Sequence, residues 1–194
     1  YQSHGKIYHR KPFVKRAILD DPDTVTFREL MQLRVIRDLR RHGIPMRRIR
    51  QTAERLADLW QDPFPFATAQ FRDYARTDGG YIYFGSSTGA IHLAGESQTA
   101  FDKVIGPLLQ AIDYTEGGQA LRWWPETRAG RVVLDASRQF GTPLDYETGV
   151  PTRVLYLATK ANPTLLFRDV ARWYEVPEDA VVSAVTYETS LLAA

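Results

Sequence analysis

Few residues in this chain could carry out bond chemistry, and they are poorly spaced for it. There are four histidines, His4, His9, His42 and His92, and no cysteine. Without thiolates there is no disulfide framework, cysteine nucleophile, zinc finger or iron-sulfur cluster, and the histidines do not fall at metal-ligand spacing. No HExxH, Walker loop, GxSxG or GxGxxG follows a predicted strand. Two carboxylate pairs, Asp20 with Asp21 and Glu178 with Asp179, are of a kind that serves acid/base work or holds Mg²⁺. The first lies in a DDPD turn ahead of a helix. The second lies in the first turn of another helix, where carboxylates suit the helix dipole. No catalytic residue, metal or cofactor is therefore expected, and the chain reads as a binder rather than an enzyme.

The remaining chemistry is ionic recognition. The 194 residues carry a net charge of only +2, unevenly placed. Residues 1–60 hold 14 Lys and Arg against 7 Asp and Glu, a balance of +7, whereas the rest of the chain balances at −5. A basic front joined to a mildly acidic body is the arrangement expected if the front meets phosphates and the body meets protein. Lys6, Arg10, Lys11, Lys15, Arg16, Arg37 and Arg41 are the candidate phosphate contacts. No run approaches the roughly 18 apolar residues of a membrane span, no secretory signal opens the chain, and the absence of cysteine is compatible with a reducing cytosol, so a cytoplasmic protein is expected.

Several elements must position these groups. Residues 6–19 read as one or two short edge strands with a basic ribbon, because Pro12 forbids a helix there. The first helix begins at Thr26, which with Glu29 forms a capping box, and Phe27, Leu30, Met31, Ile36 and Leu39 follow at helical spacing. Gly43 supplies a left-handed stop. Pro45 opens a second helix whose inner face is Met46, Ile49, Ala53, Leu56 and Trp60, giving a tight helical hairpin with Arg34, Arg37, Arg40, Arg41, Arg47, Arg48 and Arg50 outward. After the DPFPF turn, YIYFG and AIHLAG around SSTG predict a small sheet. Gly106 and Pro107 predict a kink or a late helix start in FDKVIGPLLQAID. Residues 114–130 are turn-rich and form the candidate linker. Trp123 and Trp124 precede RVVLDA, a predicted strand, and could either be buried or anchor an interface.

The last 45 residues predict three short helices. The first opens at Pro151. The second is capped by Asn162 with Pro163 at its first position, and turns Val170, Ala171 and Trp173 or Tyr174 inward. The third starts at VPED and runs through Val181, Val182, Val185 and Leu192. The third helix has no Lys or Arg and so is a poor reader of DNA. The bundle is expected to bind protein or a second copy of itself, through Trp123, Trp124, Arg153, Arg172, Val181, Val182, Val185 and Leu192.

The stretch VTFRELMQLRVIRDLRRHGIPMRRIRQTAERL resembles the helical hairpin that follows the wing in MerR-like DNA-binding domains. RVVLDASRQFGTPLDYETGVPTRVL, continued by RDVARWYEVPEDAVVSAVTYE, is similar to a small antitoxin domain of the unknown-function class. Joined through PFA and RWWP, these parts look like a VapB-type antitoxin of a type II toxin-antitoxin module, from about residue 24 onward. The resemblance implies an α+β chain. It would comprise a remnant of a winged helix-turn-helix (wing plus helical hairpin, 1–62), a connecting region with a small central β-sheet (63–130), and a strand with a C-terminal three-helix bundle (131–194). It implies a cytoplasmic protein that neutralises a PIN-like ribonuclease toxin, represses its own operon by binding operator DNA, and forms a homo-oligomer within the complex. MerR-like domains read bases with a helix that precedes the wing, and this sequence opens at or inside the wing, so those residues would lie ahead of Tyr1. The helix from Pro45 to Trp60 is too short for the MerR coiled coil, which leaves dimerisation to another surface such as the third C-terminal helix. Arg122, Arg128, Arg138, Arg153 and Arg172 are available to meet the carboxylates of such a nuclease.

Two rival readings stand beside this one. One is a stand-alone MerR-like regulator whose central sheet, with its Trp and Tyr residues, forms a small-molecule effector pocket. The other is a metal-dependent hydrolase assembled from scattered carboxylates.

Overall fold

A computed structural model describes residues 2–3, 6–7, 24–41, 43–77, 106–126 and 128–193. The chain is α+β and divides into two compact units, Tyr1–Gly106 and Pro107–Ala194. Among the described residues no helix is long and apolar enough to cross a membrane.

The first unit contains a two-stranded pair, β1 (Gln2–Ser3) and β2 (Lys6–Ile7), and three helices, α1 (Phe27–Arg41), α2 (Met46–Trp60) and α3 (Ala69–Thr77). The capping box at the start of α1 forms as its sequence requires: Glu29 N–H donates to Thr26 Oγ1 at 3.2 Å and Thr26 N–H donates to Glu29 Oε2 at 2.8 Å. Gly43, at φ +81, ends the helix, while Ile44 N–H reaches back to the Leu39 carbonyl. Met31, Val35, Leu39, Ile49 and Leu56 are buried in the hairpin. Leu30 and Met46, expected inside, are exposed. Each sits at the shoulder of its helix stripe, and the space beside it goes to the PFA motif. Pro65–Ala67 form a 3₁₀ turn against α1, α2 and α3. Phe66 is fully buried, its ring 4.8 Å from that of Phe71. Its backbone N–H donates to the buried Gln32 Oε1 at 2.9 Å, which satisfies a polar group inside the core. Thr68 Oγ1 then caps α3 by accepting from Phe71 N–H at 3.1 Å.

The second unit opens with a short helical stretch at 106–110, so the Gly106–Pro107 pair marks a late helix start. An antiparallel meander follows, made of β3 (Ile112–Tyr114), β4 (Ala120–Trp123), β5 (Val132–Asp135) and β6 (Pro143–Asp145). Residues 114–130, expected as a linker, contain a strand of this sheet. The boundary expected between 130 and 131 separates two paired strands, β4 and β5. Alternation is too short to reveal β4, which has four residues with one fully buried. YIYFG and AIHLAG lie outside the described residues.

The three C-terminal helices are α4 (Thr152–Ala161), α5 (Phe167–Tyr174) and α6 (Glu178–Leu192). They enclose Leu155, Val170, Ala171, Val176, Ala180, Val181 and Ala184, while α4 and α6 also meet the sheet. One start differs from expectation. Asn162 closes α4, donating its side-chain amide to the Ala158 carbonyl at 3.1 Å, and so is not the cap of α5. The carboxylate that serves the start of α5 is Asp169, which accepts from Leu166 N–H at 3.2 Å. The short helix therefore turns Trp173 (58% exposed) and Tyr174 outward, not inward.

Candidate interaction surfaces

Around the α1–α2 turn, Arg37, Arg40, Arg41, Arg47 and Arg48 are all exposed. Arg40 braces the turn by donating Nη1–H to the Ile44 carbonyl at 3.0 Å, and Arg37 lies 3.3 Å from the Asp38 carboxylate. Arg40 and Arg41 occupy the last turn of α1, where cations suit the carbonyl end of a helix. Arg47 and Arg48 are different. They stand in the first turn of α2, which has no acidic residue and no side-chain cap. Cations there oppose the helix dipole, and exposed amide N–H groups together with guanidinium groups make an anion-accepting end. Of the other basic candidates, Lys6 lies in β2; Arg10, Lys11, Lys15 and Arg16 lie outside the described residues.

In the second unit the arginines are built inward. Arg122 of β4 faces Asp135 of β5 in register and donates Nε–H to its Oδ2 at 2.6 Å. The other carboxylate oxygen of Asp135 accepts from Ser137 N–H at 2.9 Å and Ser137 Oγ–H at 2.6 Å. Burial alone would push the Asp135 carboxyl up, but the Ser137 and Arg122 hydrogen bonds outweigh it and hold the group below its ordinary value. The hydrogen bond to Asp135 in turn raises Arg122.

The same device recurs one strand over. Arg131 makes a two-pronged contact with Asp145, Nε–H to Oδ2 at 2.7 Å and Nη2–H to Oδ1 at 3.2 Å. It also reaches Glu147 at 2.8 Å and Asp179, in the first turn of α6, at 3.3 Å. Asp145 Oδ1 accepts from Thr148 N–H at 2.9 Å and from its hydroxyl at 2.7 Å. Burial again opposes ionisation, and Arg131 and Thr148 again win, so Asp145 is held below its ordinary value. Arg128, a candidate for meeting nuclease carboxylates, is occupied too: Nη1 lies 2.6 Å from Asp113 Oδ1 and Nε–H donates to the Gln110 carbonyl at 2.7 Å. Pattern reading misses these clamps. Their signal in the sequence is Asp at the end of an apolar run followed by Ser or Thr two or three residues later, in VVLDAS and PLDYET.

The aromatic candidates separate. Trp124 is interior, packed with Val133 and Leu144, and its Nε1–H donates to Asp113 Oδ2 at 2.9 Å; it is removed from the candidate interface because a side chain packed under the sheet cannot reach a partner. Val181, fully buried, is removed for the same reason, and Val185 packs against the bundle core. Trp123 is half-buried, while Val182, Leu192, Arg172 and Arg153 remain on the surface, with Arg153 3.8 Å from the buried Glu188. Glu188 accepts the Thr152 hydroxyl at 2.5 Å and stands beside Tyr187, whose phenol is pushed up to about 12 by burial and by that neighbouring carboxylate.

One aromatic that pattern reading misses is Phe140. It lies in the turn Gln139–Gly141 between β5 and β6, and its side chain is fully exposed, at 104%. Behind this turn, Tyr146 packs on the Trp124 ring at 4.9 Å, with the Arg122 and Arg138 guanidinium groups each 5.7 Å from the Tyr146 ring. Among the described residues no group of three or more His, Asp or Glu could hold a metal ion.

No protein-family model matches the chain, and comparison with curated proteins returns no match. Among solved structures, the chain is similar to the crystal structure of Rv2018 from Mycobacterium tuberculosis, with a TM-score of 0.55 and 23% identity over 82% of this chain and 77% of that one. At that identity the likeness speaks to the fold.

Proposed function

We propose that this chain is an antitoxin-type binding protein: its first unit docks on operator DNA and its second holds a PIN-like ribonuclease, so that the complex silences the nuclease and represses its own operon in the cytoplasm. The observation that supports this most is the α1–α2 turn. Arg47 and Arg48 crowd a helix N-terminus that has no acidic residue or side-chain cap. Helix stability does not account for cations at that position, whereas a phosphate placed there would meet both the guanidinium groups and the open amide N–H groups. The second unit has the opposite character. Its arginines at 122, 128 and 131 are matched to carboxylates. Its surface presents Phe140, Trp173, Val182 and Leu192, which suits protein contact and self-association.

Co-purification from the native operon tests the reading. The chain should bring down a small nuclease in a fixed ratio and rescue growth when that nuclease is induced. A chain that comes down alone, with DNA affinity responding to a metabolite, would replace this reading with an effector-gated regulator. For the DNA half, alanine at Arg37, Arg41 and Arg47, or at Lys6, Arg10, Lys11, Lys15 and Arg16, should reduce the salt dependence of operator binding by about one unit of log–log slope for each phosphate no longer neutralised. An unchanged slope removes those residues from the DNA face.

A further inference from the structure

The turn from Arg138 to Gly141 has a conformation that folding alone does not call for. Gln139 and Phe140 have φ of +46 and +55, and Gly141 follows at +77. Two successive side-chain-bearing residues thus occupy the left-handed region that glycine enters without penalty. At the apex the Phe140 ring meets only water. Strain and exposed apolar surface coincide on one residue, and nothing in the core gains from either.

The turn is nevertheless held firmly. Arg138 N–H donates to the Asp135 carbonyl at 3.0 Å, Gly141 N–H to the Arg138 carbonyl at 3.0 Å, and Thr142 N–H to the Gln139 carbonyl at 3.0 Å. The Arg138 guanidinium is fixed as well: Nη1–H donates to the Tyr146 carbonyl at 2.9 Å, and a Cβ at Gly149 would come within 2.7 Å of Nη2. Gly149, at φ +76, therefore makes room for that guanidinium besides supplying a turn conformation. The result is a rigid aromatic with a pinned cation nearby and the Arg122–Tyr146–Arg138 stack behind it. Pre-ordered aromatic and arginine side chains are the groups that dominate protein–protein affinity, because little freedom is lost when they bind.

The local charge selects the partner. Residues 107–194 hold eight Lys and Arg against eleven Asp and Glu, so this unit as a whole repels a polyanion, while the knob itself is cationic. We propose that Phe140 is the docking knob for the companion nuclease, entering an apolar socket whose rim carries carboxylates that face Arg138. This rests on the nuclease-binding half of the reading above and moves its centre from the C-terminal helices to the β5–β6 turn.

The test is titration of the full chain against the companion nuclease released from the purified complex, with Phe140→Gly as the principal variant. Glycine keeps the left-handed backbone and deletes only the ring. The melting temperature should stay level or rise while the nuclease dissociation constant weakens by about thirtyfold or more, the range of a hot-spot residue. Arg138→Met should weaken binding less and flatten its salt dependence, and Glu116→Gln, in the exposed β3–β4 turn, should change neither. Undiminished affinity in Phe140→Gly overturns the docking knob and leaves nuclease binding standing. A lower melting temperature, which would mean the ring packs within the chain, also overturns it, as does a loss of operator affinity in place of nuclease affinity. If the native chain does not bind the nuclease, both proposals fall together.

Discussion

The two units use arginine in opposite ways. On α1 and α2 the guanidinium groups at 37, 41 and 47 stand exposed on helix surfaces. In the sheet, those at 122 and 131 are drawn against the carboxylates of Asp135 and Asp145, which are themselves buried. A residue count treats both sets as positive charge. Their physical roles differ because a helix surface lets a long side chain extend into water, whereas neighbouring strands bring opposite charges within hydrogen-bond reach and exclude the solvent that would screen them. The first set adds potential for an outside anion; the second is consumed within the fold.

The strongest test of this contrast is Asp145→Ala, which leaves Arg131 with its main partner gone and orphans the Thr148 turn. Breaking one side of a buried ionic cluster should cost about 3–5 kcal/mol in urea unfolding. A deficit below about 1 kcal/mol, the scale of a solvated pair, would place Arg131 among the solvated arginines.

A pH titration sharpens the contrast from a second direction. Asp135 and Asp145 have lowered values in the fold, so their contribution is present above the unfolded carboxylate value of about 4 and is lost as pH falls through the lower folded values. Tyr187 has a raised value, so its contribution is complete below the unfolded phenol value of about 10 and is lost as pH climbs toward about 12, for a total of about 3 kcal/mol. Tyr187→Phe should abolish that alkaline limb in a pH series of urea midpoints. A limb that persists would place its source elsewhere.

The smallest expected effect carries the sharpest sign. Arg47→Ala removes a cation from the wrong end of α2 and should raise stability by about 0.3–1 kcal/mol while weakening operator binding. If stability and DNA affinity fall together, Arg47 is a structural residue, and the division between the two arginine sets fails at that position.

Much of the local structure is legible in the sequence. The Thr26–Glu29 box, the Gly43 stop, the buried RVVLD strand and three C-terminal helices follow from patterns spanning a few residues, and each forms. The candidate interaction residues are legible only in part. Trp124 and Val181, expected at the surface, are interior; Phe140, which no pattern singles out, stands fully in water. Asn162 shows the same limit at the level of one cap, since the residue can close one helix or open another and only the packing of α4 selects between them.

Sequence alone settled the absence of thiol chemistry, the concentration of cations in the first sixty residues, and the helices whose apolar spacing and caps are local properties of the chain. Tertiary structure decided which charges remain for a partner. The partners of Arg122 and Arg131 lie 13 and 14 residues away, brought close only by the register of a four-stranded meander. It also decided that Phe140 faces water, because exposure depends on what the rest of the chain places around a residue.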